Sequence, residues 1–169
     1  MDAVQVAFRV LEPDESVPPG YQRIACHMIF TVKMENFRRK ARYVAGGHVT
    51  EVPAAMTYAS VVGRETVRVA LTIAALNELE VKAADIENAY LTAPNKEKIW
   101  TVLGPEWGAN AGKKALIVRA LYGIRSAGAA FRTHLAECFK TLGYRPCQAD
   151  PDLWFKAAVR PSDGFEYYC

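Results

Sequence analysis

The sequence predicts an α+β fold that combines a basic β-hairpin, short strands and two helices. β-forming residues alternate with others from Arg23 to Lys33 and again from Arg39 to Ala45. Apolar residues recur at helical spacing from Arg64 to Leu79 and from Ala127 to Leu142. With 51% hydrophobic residues in a chain of 169, the composition is that of a globular protein.

The hairpin is the first clear element. Met34 to Phe37 interrupts the alternation between its strands, and Gly46-Gly47 ends the second strand. Residues 1–20, which carry two prolines after Asp14, are predicted to be an N-terminal extension that precedes the folded domain of residues 21–169. His48 to Tyr58 contains Pro53 and is predicted to be a loop.

The first helix is predicted from Arg64 to Leu79. Its polar residues occupy one narrow side, while apolar residues cover most of the remaining circumference. We therefore expect this helix to be largely buried.

The second half of the chain is predicted to contain a helix and several short strands. The helix from Ala127 to Leu142 ends at Gly143 and should lie across a sheet. The last two strands are joined by a Pro-Ser-Asp-Gly turn. The predicted strands are Val81 to Ile86, Ile99 to Leu103, Ala115 to Ala120, Leu153 to Ala157 and Phe165 to Cys169.

Composition argues against several classes of protein. No apolar run approaches the roughly 20 residues that span a bilayer, and the first residues lack the pattern of a secretory signal, so we expect an intracellular protein without membrane contact. The four cysteines show no Cys-x-x-Cys spacing and the three histidines are scattered, which disfavours a zinc site. Free thiols in a reducing compartment are the expected state of the cysteines.

Positive charge is concentrated in the hairpin. Lys33 to Arg42 contains five basic residues and one acid, whereas the whole chain has a formal net charge of only +3. Such a patch attracts phosphates and makes binding sensitive to salt. The alternative is a solvated hairpin whose charges keep it soluble.

Asp85 and Tyr90 form a candidate site. Asp85 lies at the end of a predicted apolar strand, and Tyr90 follows five positions later. A carboxylate suits a hard cation such as magnesium, which binds phosphates, and an aromatic ring suits a wall beside a nucleotide sugar. Taken alone, an acid at a strand end is more often a helix cap or a turn former.

Five short segments stand out along the chain, and they are Arg39-Lys-Ala-Arg-Tyr-Val-Ala-Gly-Gly47, Tyr58-Ala-Ser-Val-Val62, Asp85-Ile-Glu-Asn-Ala-Tyr-Leu91, Leu121-Tyr-Gly-Ile-Arg125 and Asp150-Pro-Asp-Leu-Trp154. In this order they resemble the reverse transcriptases of copia-like long-terminal-repeat retrotransposons. The resemblance covers most of the chain from about Tyr21 onward.

The resemblance implies an RNA-directed DNA polymerase that acts by two-metal nucleotidyl transfer. It assigns to Asp85 and to the backbone carbonyl of Ile86 the binding of two Mg²⁺ ions at the growing primer end. It makes Tyr90 the residue that excludes the ribose 2′-hydroxyl. The alternative for Tyr90 is a core aromatic residue.

The same resemblance implies contacts with substrates. Lys40 and Arg42, two positions apart on one strand, would contact the triphosphate of the incoming deoxynucleotide. Tyr122, Gly123 and Arg125 would lie beside the nascent base pair and the RNA or DNA template-primer. After Arg125 the chain has Ser-Ala-Gly where copia-like enzymes often have Gln-Ser-Pro.

The resemblance also specifies the architecture. It implies fingers, formed by the hairpin, and the first half of a palm, with an antiparallel sheet backed by two helices and incomplete at its C-terminal end. The family's Tyr-x-Asp-Asp pair is not in this sequence, and Asp150 and Asp152 are expected to shape a turn instead. The chain is therefore expected to be a fragment that needs the remainder of a polyprotein for activity.

Two other functions are compatible with parts of the sequence. One is a non-catalytic nucleic-acid-binding remnant of a degenerate element. The other is a small-molecule α/β enzyme with Asp85 as an acid or base. The second is disfavoured because no suitable histidine or second acid lies at a motif distance and no glycine-rich nucleotide fingerprint follows a strand.

Overall fold

The computed structural model describes residues 2–47 and 57–169, and the chain divides into two compact units. Unit 1 consists of Met1–Tyr58 and Glu87–His134, and unit 2 consists of Ala59–Ile86 and Leu135–Cys169. The loop predicted from His48 to Tyr58 lies outside the described residues except for its last two positions. No helix in the described ranges is long and apolar enough to cross a membrane.

The strands occur in runs that are separated by helices along the chain, as expected for an α+β protein. A 3-10 helix covers Pro105–Asn110. In chain order the other elements are α1 (Asp2–Gln5), β1 (Phe8–Val10), β2 (Gln22–Arg23), β3 (Cys26–Lys33), β4 (Arg38–Ala45), α2 (Arg64–Leu76), α3 (Ala89–Thr92), β5 (Ile99–Val102), β6 (Lys114–Ile117), α4 (Ala127–Thr141), β7 (Arg145–Pro146), β8 (Trp154–Phe155), β9 (Ala157–Val159) and β10 (Glu166–Tyr168).

Unit 1 contains a four-stranded sheet in the order β1-β6-β5-β2. The β1/β6 and β5/β6 pairs are antiparallel, as predicted, whereas β2 pairs with β5 in parallel, so the edge strand β2 departs from the predicted antiparallel sheet. Two backbone hydrogen bonds hold β2 parallel to β5. The Gln22 N–H donates to the carbonyl of Lys98, and the Ile24 N–H donates to the carbonyl of Trp100. β1 lies within the first twenty residues and pairs with β6 over its whole length.

The predicted hairpin is confirmed. β3 and β4 are antiparallel over eight residue pairs, from Cys26 opposite Ala45 to Lys33 opposite Arg38. The turn lies at Met34 to Phe37, and Phe37 adopts a left-handed conformation with φ of 52°. Alternation of β-forming residues therefore located both strands correctly.

Three aromatic rings form the centre of the core of unit 1. Phe8, Tyr43 and Trp107 pack edge to face, with centroid separations of 4.9 to 5.8 Å. The indole Nε1–H of Trp107 donates to the Tyr43 hydroxyl at 3.1 Å. Burial raises the pKa of Tyr43 well above its usual value, because the ionised phenolate would lose its hydration.

Unit 2 contains α2, which differs from its prediction. The helix ends at Leu76 instead of Leu79, and none of its residues is buried. The expectation of a largely buried helix is therefore wrong. An apolar helix side is buried only where another element covers it. The elements described in unit 2 do not cover α2 in this way, and its large apolar side chains are at least 41% exposed.

Residues 81–86 form no strand, so that prediction is also wrong. A strand requires a neighbour for its backbone N–H and C=O groups, and none of the described strands pairs with this segment. The predicted strand at Ile99 is confirmed as β5, and the one predicted from Ala115 to Ala120 corresponds to the shorter β6.

The second long helix is confirmed as α4. The terminal hairpin is also confirmed, but the partner of its last strand lies further along the chain than the strand predicted from Leu153 to Ala157. Phe139 of α4 stacks on Trp154 with their centroids 5.4 Å apart. β10 pairs with β9, whereas β8 pairs with β7.

Asp150 accepts a hydrogen bond from the Asp152 N–H at 3.0 Å, which confirms that these two acids shape a turn.

Replacing Tyr43 by Phe tests the aromatic core. The Trp107 Nε1–H would lose a buried acceptor, so we expect the free energy of unfolding to fall by about 1 to 2 kcal/mol in denaturant titrations. Tyr168→Phe is the matched control because Tyr168 is 63% exposed and should change little. Equal effects of the two substitutions would contradict the role of this hydrogen bond.

Candidate functional site

The hairpin presents a cationic face. Residues directly opposite each other in an antiparallel pair point to the same side, and the pairing places Arg42 opposite Ile29 and Lys40 opposite Thr31. Lys33 and Arg38 form the next pair on that side. Lys40 is exposed, Arg42 is partly buried, and no ion pair among the described residues involves these four cations.

The opposite face of the hairpin is mainly apolar. Met28 and Tyr43 lie at its base, where Tyr43 is only 3% exposed. Phe30 is 76% exposed further out, and Arg39 lies opposite Val32. Arg39 and Arg42 therefore lie on the same strand but on different faces, a difference that charge counting along the sequence does not show.

The base of the hairpin packs against the loop of residues 121–125. The backbone N–H of Ala45 donates to the Tyr122 carbonyl at 2.7 Å. Gly123 has a φ of +93°, and a Cβ there would overlap the carbonyl oxygen of Ala45. A Cβ on Gly47 would likewise overlap the carbonyl oxygen of Gly123. This contact between backbones requires glycine at both positions.

Arg125 takes part in the same contact. Its Nε–H donates to the carbonyl oxygen of Gly47 at 3.1 Å, across 78 positions of sequence. The guanidinium therefore has a structural role at the base of the hairpin. Its predicted contact with a phosphate stays a prediction.

Tyr90 lies in α3 and is partly buried among aromatic rings. Its ring centroid is 4.8 Å from that of Tyr122 and 6.1 Å from that of Phe131. Asn88, in a left-handed conformation with φ of 52°, begins α3 and turns the chain just before this residue. The structure thus brings Tyr90 next to the loop that contains Tyr122, Gly123 and Arg125.

Asp85 and Ile86 belong to unit 2, whereas the other predicted site residues belong to unit 1. Both are exposed and lie outside any helix or strand. Within residues 2–47 and 57–169, no group of three or more His, Cys, Asp or Glu side chains is arranged to hold a metal ion. The described residues therefore do not by themselves form a complete two-metal site, and the predicted role of Asp85 as a metal ligand stays a prediction.

Two further features of unit 1 escaped sequence reasoning. Glu97 accepts hydrogen bonds from both the N–H and the hydroxyl of Ser126, immediately before α4. A cavity of about 140 Å³ nearby is lined in part by Lys96 and Arg132. Glu97 and Ser126 lie 29 positions apart in the sequence, so no local signal identifies their contact.

Comparison with known proteins establishes the family. The model of the family described as "Reverse transcriptase (RNA-dependent DNA polymerase)" matches residues 13–160. The chain therefore belongs to the reverse transcriptase family.

A curated relative gives the context. The chain is 28% identical over 149 residues to the "Retrovirus-related Pol polyprotein from transposon TNT 1-94" of Nicotiana tabacum. The match covers 83% of this chain and 11% of the tobacco polyprotein, so the chain spans a small part of that relative. The predicted resemblance to a copia-like retrotransposon reverse transcriptase is confirmed. No solved structure matched the chain significantly.

Replacing Gly123 by Ala tests the backbone contact at the hairpin base. We expect the free energy of unfolding to fall by about 3 kcal/mol or more, because the methyl group adds a clash to the cost of a left-handed residue. Gly112→Ala is the matched control, since Gly112 has a φ of +80° and no atom within 4 Å of a built Cβ. The control should lose only about 1 kcal/mol in the same denaturant titration. Similar losses in the two variants would contradict the proposed close contact.

Proposed function

We propose that the chain provides the fingers and the first half of the palm of an RNA-directed DNA polymerase encoded in a retrotransposon polyprotein. Membership of the reverse transcriptase family supports this function. The observation that carries it furthest is the cationic face of the β3–β4 hairpin, whose base packs on the loop of residues 121–125. The cations of this face can bind phosphates, and the adjacent loop supplies aromatic and glycine residues that can contact a base pair.

The cationic face would hold the triphosphate of the incoming deoxynucleotide. Arg42 can form two parallel hydrogen bonds to phosphate oxygens, and Lys40 supplies a point charge two positions away on the same side of β4. Tyr122 and Gly123 would lie beside the nascent base pair, and Arg125 beside the template-primer. Tyr90 would contact the sugar and exclude a ribose 2′-hydroxyl by shape.

Neutralising one cation on each face of β4 tests this assignment. In the protein extended through the rest of the polymerase domain, Arg42→Gln should raise the Kd for a deoxynucleoside triphosphate, measured with bound primer-template, about tenfold through loss of a charge-assisted hydrogen bond. Arg39→Gln makes the same chemical change on the opposite face and should alter the Kd less than about twofold. Lys40→Gln should behave like Arg42→Gln. Equal effects of Arg39 and Arg42 would show that only net charge matters.

Asp85 is proposed as a ligand of magnesium, together with the carbonyl oxygen of Ile86. When bound, magnesium in such a site neutralises phosphate charge and helps to activate the primer hydroxyl. The remaining carboxylates would come from elsewhere in the polyprotein. The exposed position of Asp85 is compatible with this role because its side chain is not part of a packed interior.

The role of Asp85 is tested by primer extension in the extended protein. Asp85→Asn should abolish deoxynucleotide incorporation while primer-template affinity stays nearly unchanged, because one metal ligand is lost without a change in shape. Glu87→Gln removes a neighbouring exposed carboxylate and should retain activity. Retained synthesis by Asp85→Asn would remove this residue from the metal site.

The role of Tyr90 is tested in the same assay. Tyr90→Val should increase ribonucleotide incorporation, and unchanged sugar selectivity would assign Tyr90 to the core.

A non-catalytic nucleic-acid-binding remnant is the second candidate. The cationic face of the hairpin favours it as well, since salt-sensitive phosphate binding needs no catalytic acid. The two candidates differ in the extended protein. Primer-template binding without any magnesium-dependent incorporation would favour the remnant.

A further inference from the structure

The outer side of the four-stranded sheet in unit 1 carries a tryptophan that two cations contact. The register places Arg23 and Leu116 on either side of Trp100, on the side of the sheet opposite the buried Thr101. The guanidinium carbon of Arg23 lies 5.7 Å from the centroid of the Trp100 ring, and the Nζ of Lys114 lies 5.9 Å from it. Both distances allow cation–π attraction. We call Arg23, Trp100 and Lys114 the Trp100 surface.

The Trp100 surface is open to solvent, whereas the neighbouring part of the same side is closed. Its two cations are exposed, and the indole is partly exposed. Towards β1, Leu116 is only 4% exposed, and Arg9 pairs with Glu15 at 2.7 Å. The accessible positive charge on this side of the sheet therefore lies around the tryptophan and not at β1.

The positive charge of the Trp100 surface has no counter-ion in the described part of the chain. Neither Arg23 nor Lys114 forms an ion pair with another described residue. Strands β2, β5 and β6 contain no acidic residue, and Lys98 adds an exposed cation immediately before β5. Two cations within about 6 Å of one ring repel each other, and salt screens this repulsion only partly. A bound anion would relieve it.

The indole ring indicates which kind of anion fits. A cation held against a ring loses less conformational freedom when it binds a phosphate than a cation on a free side chain. The ring itself offers a surface on which a nucleic-acid base can stack. Trp100 lies on β5, an inner strand of a four-stranded sheet, and such sheets with exposed aromatic residues can bind single-stranded RNA. A ligand that carries both phosphates and bases therefore matches all three side chains.

We infer that the Trp100 surface binds a single-stranded nucleic acid. Arg23 and Lys114 contact its phosphates, and the indole of Trp100 contacts a base. The inference goes beyond the proposed function, because this surface contains none of the residues proposed to contact the triphosphate, the metal or the base pair. It also requires no polymerase activity.

Nuclear magnetic resonance of the 169-residue chain tests which surface binds. The chain has three tryptophans, and the indole N–H signal of Trp100 is identified by its loss in Trp100→Phe. On titration with a single-stranded oligothymidylate of about 12 nucleotides, this signal should shift. The signal of Trp107, which is 8% exposed and hydrogen-bonded to Tyr43, should stay in place. A Trp100 signal that does not move would overturn the inference, whether the oligonucleotide binds elsewhere or not at all.

Matched charge substitutions add an independent readout. Lys114→Gln and Lys113→Gln remove the same charge at adjacent positions, but Lys113 donates to Asn110 and is not near the Trp100 ring. Lys114→Gln and Arg23→Gln should each raise the Kd for the oligonucleotide about fivefold and reduce the slope of log K against log salt concentration by about 0.7. Lys113→Gln should change the Kd less than about twofold. Equal effects of the two lysine substitutions would overturn the inference, because only net charge would then matter.

Two other probes distinguish the possible sources of phosphate. Inorganic phosphate that shifts the Trp100 signal as far as the oligonucleotide does, at equal phosphate concentration, would assign the surface to a small anion. Binding to vesicles of phosphatidylcholine and phosphatidylserine that Lys114→Gln abolishes, without binding of the oligonucleotide, would assign it to a membrane. Either result overturns the inference. Neither affects the tests of the proposed function, which measure the Kd for a deoxynucleoside triphosphate and nucleotide incorporation.

Discussion

The contact between the Gly123 backbone and the end of β4 is the constraint on which the candidate site of unit 1 depends. Two chain segments approach so closely that neither Gly47 nor Gly123 has room for a Cβ. The hydrogen bond from Ala45 N–H to the Tyr122 carbonyl fixes their register. Because β4 carries the cationic face and the loop carries Tyr122, this contact determines how charge and aromatic rings are arranged.

The start of α4 supports the same arrangement from another direction. Glu97 accepts hydrogen bonds from Ser126, and a carboxylate at a helix N-terminus is stabilised by the unpaired N–H groups there. One turn further along, Phe131 packs on Tyr90. The ring that the family resemblance relates to sugar selection is thus positioned by a helix whose first turn is held by an acid 29 residues earlier in the sequence.

Unit 2 shows where pattern and packing diverge. The periodicity of α2 correctly predicted a helix, but it also predicted burial that the structure does not show. Residues 81–86 have strand composition without a pairing neighbour. Both errors have one cause: an apolar pattern reports which surface a segment tends to bury, whereas burial needs a second surface.

The sequence by itself determined the local elements and the family. Alternation located the hairpin strands, apolar spacing and Gly143 located α4, and five motifs in order indicated a reverse transcriptase. The signals for the hairpin and for α4 lie within the elements that they predict, and the family signal is the order of five short motifs along the chain.

Only the tertiary structure decided how distant segments meet. It set the parallel pairing of β2, the hydrogen bond between Tyr43 and Trp107 across 64 positions, and the contact of Arg125 with Gly47. It also set the cross-strand register that places Arg42 opposite Ile29 and Arg39 opposite Val32. Such contacts depend on which surfaces close together in the folded chain, and no short stretch of sequence carries that information.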